Sequence, residues 1–188
     1  MQLMDCRIKK IKDGSTIIKE DTYPYYSYVL KNGKARIMKN VDGRQVVIGA
    51  LNKGDVFGDL VFLGEMRRST SVVADGDVTV EMISRETLMD MFQKLPQDVK
   101  EKLCEMVHKL VGVTDIYGRM VALRMDTESR ETETVRVEEF GTESFQTPEL
   151  MRKVIISIAR RYSSVLQSLK QLVDREEEKH ARMLASAV

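Results

Sequence analysis

The chain has 188 residues, of which 43% are apolar and 31% charged, a composition typical of a folded globular protein rather than a disordered one. The formal net charge is +1: 20 basic and 17 acidic residues before Met125 give +3, and 10 basic and 12 acidic residues from there on give −2. Neither part has the basic excess of a protein held on nucleic acid or on a membrane surface by phosphate contacts. We therefore expect neither partner.

Two cysteines, Cys6 and Cys104, lie far apart, and no Cys or His spacing suggests a metal site. The amino terminus carries charge within five residues and has no apolar stretch typical of a signal peptide. No run approaches the roughly 18 apolar residues of a membrane helix. These features predict a cytoplasmic chain with reduced cysteines, no metal and no cofactor.

Short segments rich in β-branched and aromatic residues fill the first part of the chain. From Gly33 onward, glycine turns recur every 10 to 12 residues, at Gly43, Gly54, Gly64 and Gly76. Short strands at this spacing predict a β-sandwich or barrel. The predicted strands are 15–18, 25–30, 35–38, 45–51, 70–74 and 78–83.

The periodicity becomes helical after Ser84. A helix is predicted from residue 85 to Pro96, because proline cannot continue the hydrogen-bond ladder of a helix. A longer helix follows from Gln97 to about Met125. Its apolar residues recur in steps of four and three, at Val99, Leu103, Met106, Leu110, Val113, Tyr117 and Met120.

The last part of the chain reads as a linker and one long helix. Residues 126–147 hold seven acids and five threonines without sustained periodicity, with one short strand at 134–140 as the only element suggested. Thr147-Pro148-Glu149 then has the composition of a helix start, and a helix is predicted over 148–184. A heptad seam, suited to a coiled coil or a helix bundle, comprises Met151, Ile155, Ile158, Tyr162, Val165, Leu169 and Leu172.

One stretch resembles a known family. Phe57-Gly58-Asp59-Leu60 and Arg68-Ser69-Thr70, with eight residues between Asp59 and Arg68, are similar to the phosphate-binding cassette of cyclic nucleotide-binding domains, in the manner of catabolite activator proteins and kinase regulatory subunits. The resemblance extends over residues 10–125, through the glycine turns and the two helices. It implies a mainly β plus α fold, a β-roll (a double-stranded jelly roll) followed by helices, here with a long C-terminal helix.

The resemblance also implies roles for individual residues. Gly58 lets the backbone approach a ligand, and the N–H groups that follow it, together with Arg68, would hold a cyclic phosphate. Ser69 would add a hydroxyl donor, and Asp59 would accept from the ribose 2′-hydroxyl. The ligand-binding set is Phe57, Gly58, Asp59, Leu60, Arg68, Ser69 and Thr70. Tyr117 is a possible cap over the base, although an aromatic residue in a helical stripe is more often part of the core.

The chain departs from the family pattern at two places. Asp59 stands where glutamate is usual, and residues 20–24 replace a Glu-Gly-Asp turn. Arg68 itself could instead be a surface arginine that pairs with Glu65. The departures keep open an alternative function, in which a degenerate, ligand-free β-roll acts as a scaffold for oligomerisation or as an adaptor.

The function predicted from the sequence is that of a regulatory module, not an enzyme. A cyclic nucleotide, cAMP or cGMP, would bind the β-roll with its two helices (1–125). The signal would pass across the acidic linker (126–147) to the last helix (148–188), which would form a homodimer or contact a partner protein. We expect no helix-turn-helix domain in 126–188 and no direct DNA binding. The sequence does not distinguish cAMP from cGMP.

Overall fold

The structure, a computed structural model, describes residues 7–58, 67–124 and 148–186. Asp59, Leu60 and Glu65, the predicted linker 126–147 with its short strand, and Thr147 lie outside the described residues. Within the described ranges, six strands precede three helices. The elements are β1 (Arg7–Ile11), β2 (Thr16–Ile18), β3 (Tyr26–Val41), β4 (Arg44–Leu51), β5 (Val56–Phe57), β6 (Ser71–Ser84), α1 (Arg85–Gln93), α2 (Gln97–Arg124) and α3 (Glu149–Ser186).

The strands form one antiparallel sheet in the order β1-β6-β3-β4. The short strands complete it, since β2 pairs with β6 and β5 pairs with β3. The long strands β3 and β6 pair from Tyr26↔Ser84 to Met38↔Ser71 and form the spine of the sheet. The predicted fold class, a mainly β-roll followed by helices, is confirmed.

Two of the predicted turns were wrong. The Asn32-Gly33 and Asp75-Gly76-Asp77 segments lie inside β3 and β6, so four predicted strands are two long ones. The register between β3 and β6 shifts on both sides of Asn32, and Gly33 has a φ of +86°. A Cβ on Gly33 would lie 2.8 Å from the Asp77 carbonyl oxygen. The glycine therefore permits a close approach of two irregular strands, rather than a reversal of the chain.

The first two helices begin and end close to the predicted positions. Ser84 caps α1, because its hydroxyl accepts from the Thr87 N–H at 3.2 Å. Leu88 and Phe92 of α1 are buried, and Pro96 separates this helix from α2. Together α1 and α2 cover one end of the sheet.

The long helix α3 folds back on the same chain. Met151, Val154 and Ile158 are fully buried, and Val165 and Leu172 are nearly so. Full burial of each such side chain stabilises the fold by about 1.5–3 kcal/mol, so this packing holds α3 against the rest of the described chain. The rest of the predicted seam (Ile155, Tyr162, Leu169) packs half-buried against the same core. The seam is thus packed within one chain.

The structure divides its apolar side chains between two clusters. One cluster joins β4, β5 and the three helices around residues such as Leu88, Val107 and Ile158. The other cluster lies inside the β-roll, around Leu30, Leu51 and Phe57. In the ranges that the structure covers, no helix is long and apolar enough to span a membrane.

Candidate functional site

A cavity of about 130 Å³ lies between the sheet and the helices. Its walls come from β4 (Ile48–Leu51), from the chain around Gly58, from Arg68, Ser69 and Thr70, and from both long helices. Apolar and polar side chains line the wall in similar numbers. The polar groups can fix the orientation of a small-molecule ligand.

Arg68 is the principal charged group of the cavity wall. The residue is only 6% exposed. Its Nη1 donates to the Gly58 carbonyl oxygen at 2.6 Å, and its Nη2 donates to the Tyr26 carbonyl oxygen. Arg68 is therefore not a surface arginine, whereas the alternative pairing with Glu65 falls on a residue outside the described ranges. Carbonyl dipoles hold a buried guanidinium at the cavity wall, where it can bind an anion.

Gly58 is required by the position of Arg68. Its φ is +76°, in the left-handed region that side chains disfavour. An added Cβ would lie 2.7 Å from Arg68 Nη1 and 2.9 Å from Ile18 Cδ1. The Gly58 carbonyl oxygen also accepts from the Ser27 hydroxyl at 2.8 Å. The glycine and the arginine thus form one packed unit.

The backbone around Arg68 is held by the loop that departs from the family pattern. Arg68 N–H donates to the Thr22 carbonyl oxygen, and the Asp21 N–H donates to the Arg68 carbonyl oxygen, both at 2.9 Å. Asp21 adopts a φ of +63° to do so. The loop over 20–24 therefore fixes Arg68 in position.

Lys39 connects this loop and the cavity wall to α2. Its ammonium group donates to the Ser69 carbonyl oxygen at 2.9 Å and lies 3.0 Å from a Glu20 carboxylate oxygen. It also lies 3.5 Å from the Asp115 carboxylate on α2. The side chain is 15% exposed. A shift of the backbone at Ser69 would therefore move Lys39 and change its contact with Asp115 of α2.

Tyr28 packs next to the site, and the charge of Arg68 affects the pKa of its hydroxyl. Its ring stacks on Phe57 with centroids 5.3 Å apart and an interplanar angle of 19°. Burial raises the pKa of Tyr28 above its ordinary value, while the charge of Arg68 acts in the opposite direction. Phe57 is 1% exposed and belongs to the inner apolar cluster. Phe57 thus forms part of the cavity wall, and Tyr28 packs against it.

A second wall of the cavity comes from α3. Arg160, Arg161, Ser164, Val165 and Ser168 line it, at one-turn and two-turn spacing along the helix. The helix is fastened at this point by hydrogen bonds in both directions. Val56 N–H donates to the Ser157 hydroxyl at 3.1 Å, and the same hydroxyl lies 2.7 Å from the Val56 carbonyl oxygen as donor.

An ion pair adds to that attachment. Arg160 Nη1 lies 2.7 Å from Asp55 Oδ1, and the Asp55 side chain is 6% exposed. The other carboxylate oxygen of Asp55 accepts from the Asn52 N–H at 2.8 Å. Asp55 thus holds both the turn before β5 and the helix that closes the cavity.

The structure brings most of the predicted ligand residues together. Phe57, Gly58, Arg68, Ser69 and Thr70 all line the cavity, whereas Asp59 and Leu60 lie outside the described residues. Tyr117 is 5% exposed and packs in the helical core, and it is not among the residues that line the cavity. Its possible role as a base cap stays a prediction.

The α3 residues of the cavity wall were not predicted from the sequence. Serines at 157, 164 and 168 follow one edge of the apolar seam, in steps of seven and four. That small polar stripe was the available signal, because hydroxyls at such regular spacing beside a buried seam face a neighbouring surface. Among the residues described, no cluster of His, Cys, Asp and Glu could hold a metal ion. With Arg68 at its wall, the cavity can bind an anion.

Part of the cavity wall lies in a segment that matches a known protein family. Residues 8–95 match the family described as cyclic nucleotide-binding domain. This part of the chain belongs to that family. The cyclic nucleotide-binding domain contains the whole sheet from Ile8 onward, Gly58 and Arg68, and it ends just after α1. The α3 wall of the cavity lies beyond it.

Curated relatives share this domain at modest identity. A cGMP-dependent protein kinase of Plasmodium berghei is 34% identical over 83 residues, which cover 44% of this chain and 9% of the kinase. The cAMP-activated global transcriptional regulator CRP of Escherichia coli O6:H1 is 26% identical over 123 residues, covering 64% of this chain and 59% of the regulator. The chain thus spans less than two thirds of either relative.

Solved structures support the fold alone. The cGMP-bound EAL enzyme Bd1971 matches with a TM-score of 0.54 at 18% identity, over 64% of this chain and 32% of that one. At such identity the likeness shows a shared β-roll and says nothing about activity. In its arrangement, the sheet followed by helices fits the cyclic nucleotide-binding fold.

Proposed function

We propose that this chain is a sensor of a cyclic mononucleotide, cAMP or cGMP. The observation that carries the proposal is the buried guanidinium of Arg68, packed on Gly58 at the wall of the cavity. A buried cation beside a glycine suits an anionic ligand that must approach the backbone closely. Family membership and the two nucleotide-dependent relatives support a cyclic nucleotide as that ligand.

In this proposal the cyclic phosphate binds Arg68 and the backbone N–H groups after Gly58. The hydroxyls of Ser69 and Thr70 line the same wall and add hydrogen bonds. Asp59 accepts from the ribose 2′-hydroxyl, directly or through a water molecule because it is shorter than the usual glutamate. Apolar groups of β4 face the base.

The signal leaves the site through two contacts with the helices. Lys39 joins the Ser69 carbonyl oxygen to Asp115 of α2, and the Ser157 hydroxyl joins α3 to Val56, two residues before Gly58. A ligand that shifts the chain at Ser69 or Gly58 therefore biases the positions of both helices. The proposal keeps the division into a sensor (1–125), a linker (126–147) and an output helix (148–188).

The output is a homodimer or a complex with a protein partner. Because the seam of α3 is packed inside the chain, the contact would use other apolar side chains, of which Ile116 and Leu123 on α2 are 53% and 77% exposed. Light scattering on the full chain, with and without nucleotide, measures this directly. The chain itself has a regulatory rather than catalytic role, in the cytoplasm.

Calorimetric titration with cAMP and cGMP tests the proposal. We expect binding to the unaltered chain and a loss of at least about 30-fold in affinity for Arg68→Ala, since removing one partner of a buried charged pair costs about 2–5 kcal/mol. The neighbouring Arg67→Ala is the matched control, because its side chain is 53% exposed. Equal affinities of the two variants would refute the role of Arg68.

The cavity volume favours a second candidate function, a scaffold that binds no nucleotide. About 130 Å³ is less than the 300–1,000 Å³ of ordinary ligand pockets, so a nucleotide must part the walls. A ligand at a hundredfold excess over its dissociation constant should raise the free energy of unfolding by about 2.7 kcal/mol. Unchanged thermal stability with every cyclic nucleotide would select the scaffold.

A further inference from the structure

The cavity has a wall that lies outside the family domain. Arg161, Ser164 and Ser168 of α3 line it together with Arg68 and Ser69, although 92 residues separate Ser69 from Arg161 in sequence number. The domain that matches the family ends at residue 95. A side of the candidate site is therefore built by a segment outside the residues that match the family.

We propose that Arg161, Ser164 and Ser168 recognise the base of the nucleotide and give the site a preference for guanine. This inference rests on the proposed function, because it assumes that the phosphate binds at Arg68. With the phosphate there, the base must occupy the rest of the cavity. That space lies between β4 (Ile48–Leu51) and the α3 wall.

The chemistry of the wall distinguishes the two purines. A guanidinium only donates hydrogen bonds, whereas a serine hydroxyl donates or accepts. Guanine presents two acceptors, O6 and N7, on one edge, and adenine presents a donor, N6–H, in place of O6. The N–H donors of Arg161 can therefore bind the O6 and N7 acceptors of guanine, whereas in adenine they would face the N6–H donor. The hydroxyls of Ser164 and Ser168 can bind either base, because they donate or accept.

The attachment of α3 holds this wall beside the cavity before a ligand binds. Arg161 Nε donates to the Ser157 carbonyl oxygen at 3.3 Å, next to the hydroxyl that bonds Val56. Arg160 is paired with buried Asp55, and Ile158 and Val165 are buried on either side. Arg161, Ser164 and Ser168 are therefore already part of the wall when the nucleotide parts it, and they contact the base as it enters.

Competitive calorimetry with cGMP and cAMP tests the inference. The unaltered chain should bind cGMP roughly 5- to 150-fold more tightly than cAMP, the discrimination expected of one well-placed arginine–guanine contact. Arg161→Gln should lower or reverse this ratio, because a glutamine amide can accept from adenine N6. Ser164→Ala combined with Ser168→Ala should weaken both nucleotides by about 5- to 10-fold.

Two residues of the same helix serve as controls. Arg152 is exposed, Ser163 is half-buried, and neither lines the cavity. Arg152→Gln and Ser163→Ala should leave the ratio and both affinities unchanged. If Arg161→Gln fails to fold by circular dichroism, Arg161→Lys replaces it, and the ratio should then fall to an intermediate value because the planar fork is lost.

The outcomes separate the two proposals. If neither nucleotide binds the unaltered chain, the proposed function fails and the inference fails with it. A second outcome is that both nucleotides bind and Arg68→Ala abolishes binding, but the chain prefers cAMP or the ratio of affinities does not change in Arg161→Gln. In that case the proposed function stands, and only the guanine preference from the α3 wall is refuted. A preference for cGMP that Arg161→Gln removes supports both.

Discussion

Replacement of Gly58 by alanine should damage both the stability of the chain and its ligand site. The φ of +76° costs a residue with a Cβ about 1–2 kcal/mol. The new Cβ would also lie 2.7 Å from Arg68 Nη1, so the guanidinium must move. Loss of one charge-assisted hydrogen bond, such as the one from Arg68 to the Gly58 carbonyl oxygen, costs about 1.5–3 kcal/mol more.

A second glycine isolates the effect of that contact. Gly14 has a φ of +70°, and a Cβ there would meet nothing within 4 Å. Gly14→Ala should therefore lose only the backbone term, and Gly58→Ala should lose about 1.5–3 kcal/mol more in urea unfolding. Nucleotide affinity, measured by calorimetry, should fall for Gly58→Ala alone. Equal destabilisation of the two variants would refute the argument that Gly58 exists to admit Arg68.

Two further predictions concern the attachment of α3 and the tyrosine beneath the site. Ser157→Ala should lower the free energy of unfolding by about 1–3 kcal/mol, because the buried Val56 N–H loses its acceptor, while Ser163→Ala should change it by less than about 0.5 kcal/mol in the same urea titration. Since burial raises the pKa of Tyr28 in the fold, the folded state keeps its proton when the unfolded state loses it, and stability should fall as the pH rises past about 10. Tyr28→Phe should reduce this alkaline loss, and an identical pH profile of unfolding for both proteins would contradict the assignment.

The sequence was sufficient for the first two helices because local signals and tertiary packing agree there, whereas β1 and β5 were not among the predicted strands. Pro96 separates two helices whose apolar residues keep the spacing of a buried stripe, and both helices form as predicted. The glycine turns were less reliable. Gly43 reverses the chain between β3 and β4, whereas Gly33 and Gly76, with the same kind of left-handed backbone, lie within continuous strands.

The candidate site could be predicted where its residues are neighbours in sequence. Gly58, Arg68, Ser69 and Thr70 follow a local pattern, and they meet at one cavity. The α3 wall depends instead on how residues about a hundred positions apart pack, as with Val56 and Ser157. No local signal states which surface a polar stripe of a helix will face. The role of the seam was open for the same reason, because burial within the chain and pairing between chains require the same heptad pattern.

A crystal structure of the chain with cGMP at saturating concentration would show whether Arg68 binds the cyclic phosphate. We expect a phosphate oxygen about 2.7–2.9 Å from an Arg68 guanidinium nitrogen, inside the cavity between the sheet and α3. A nucleotide bound elsewhere, with no phosphate oxygen near Arg68, would refute the proposed site.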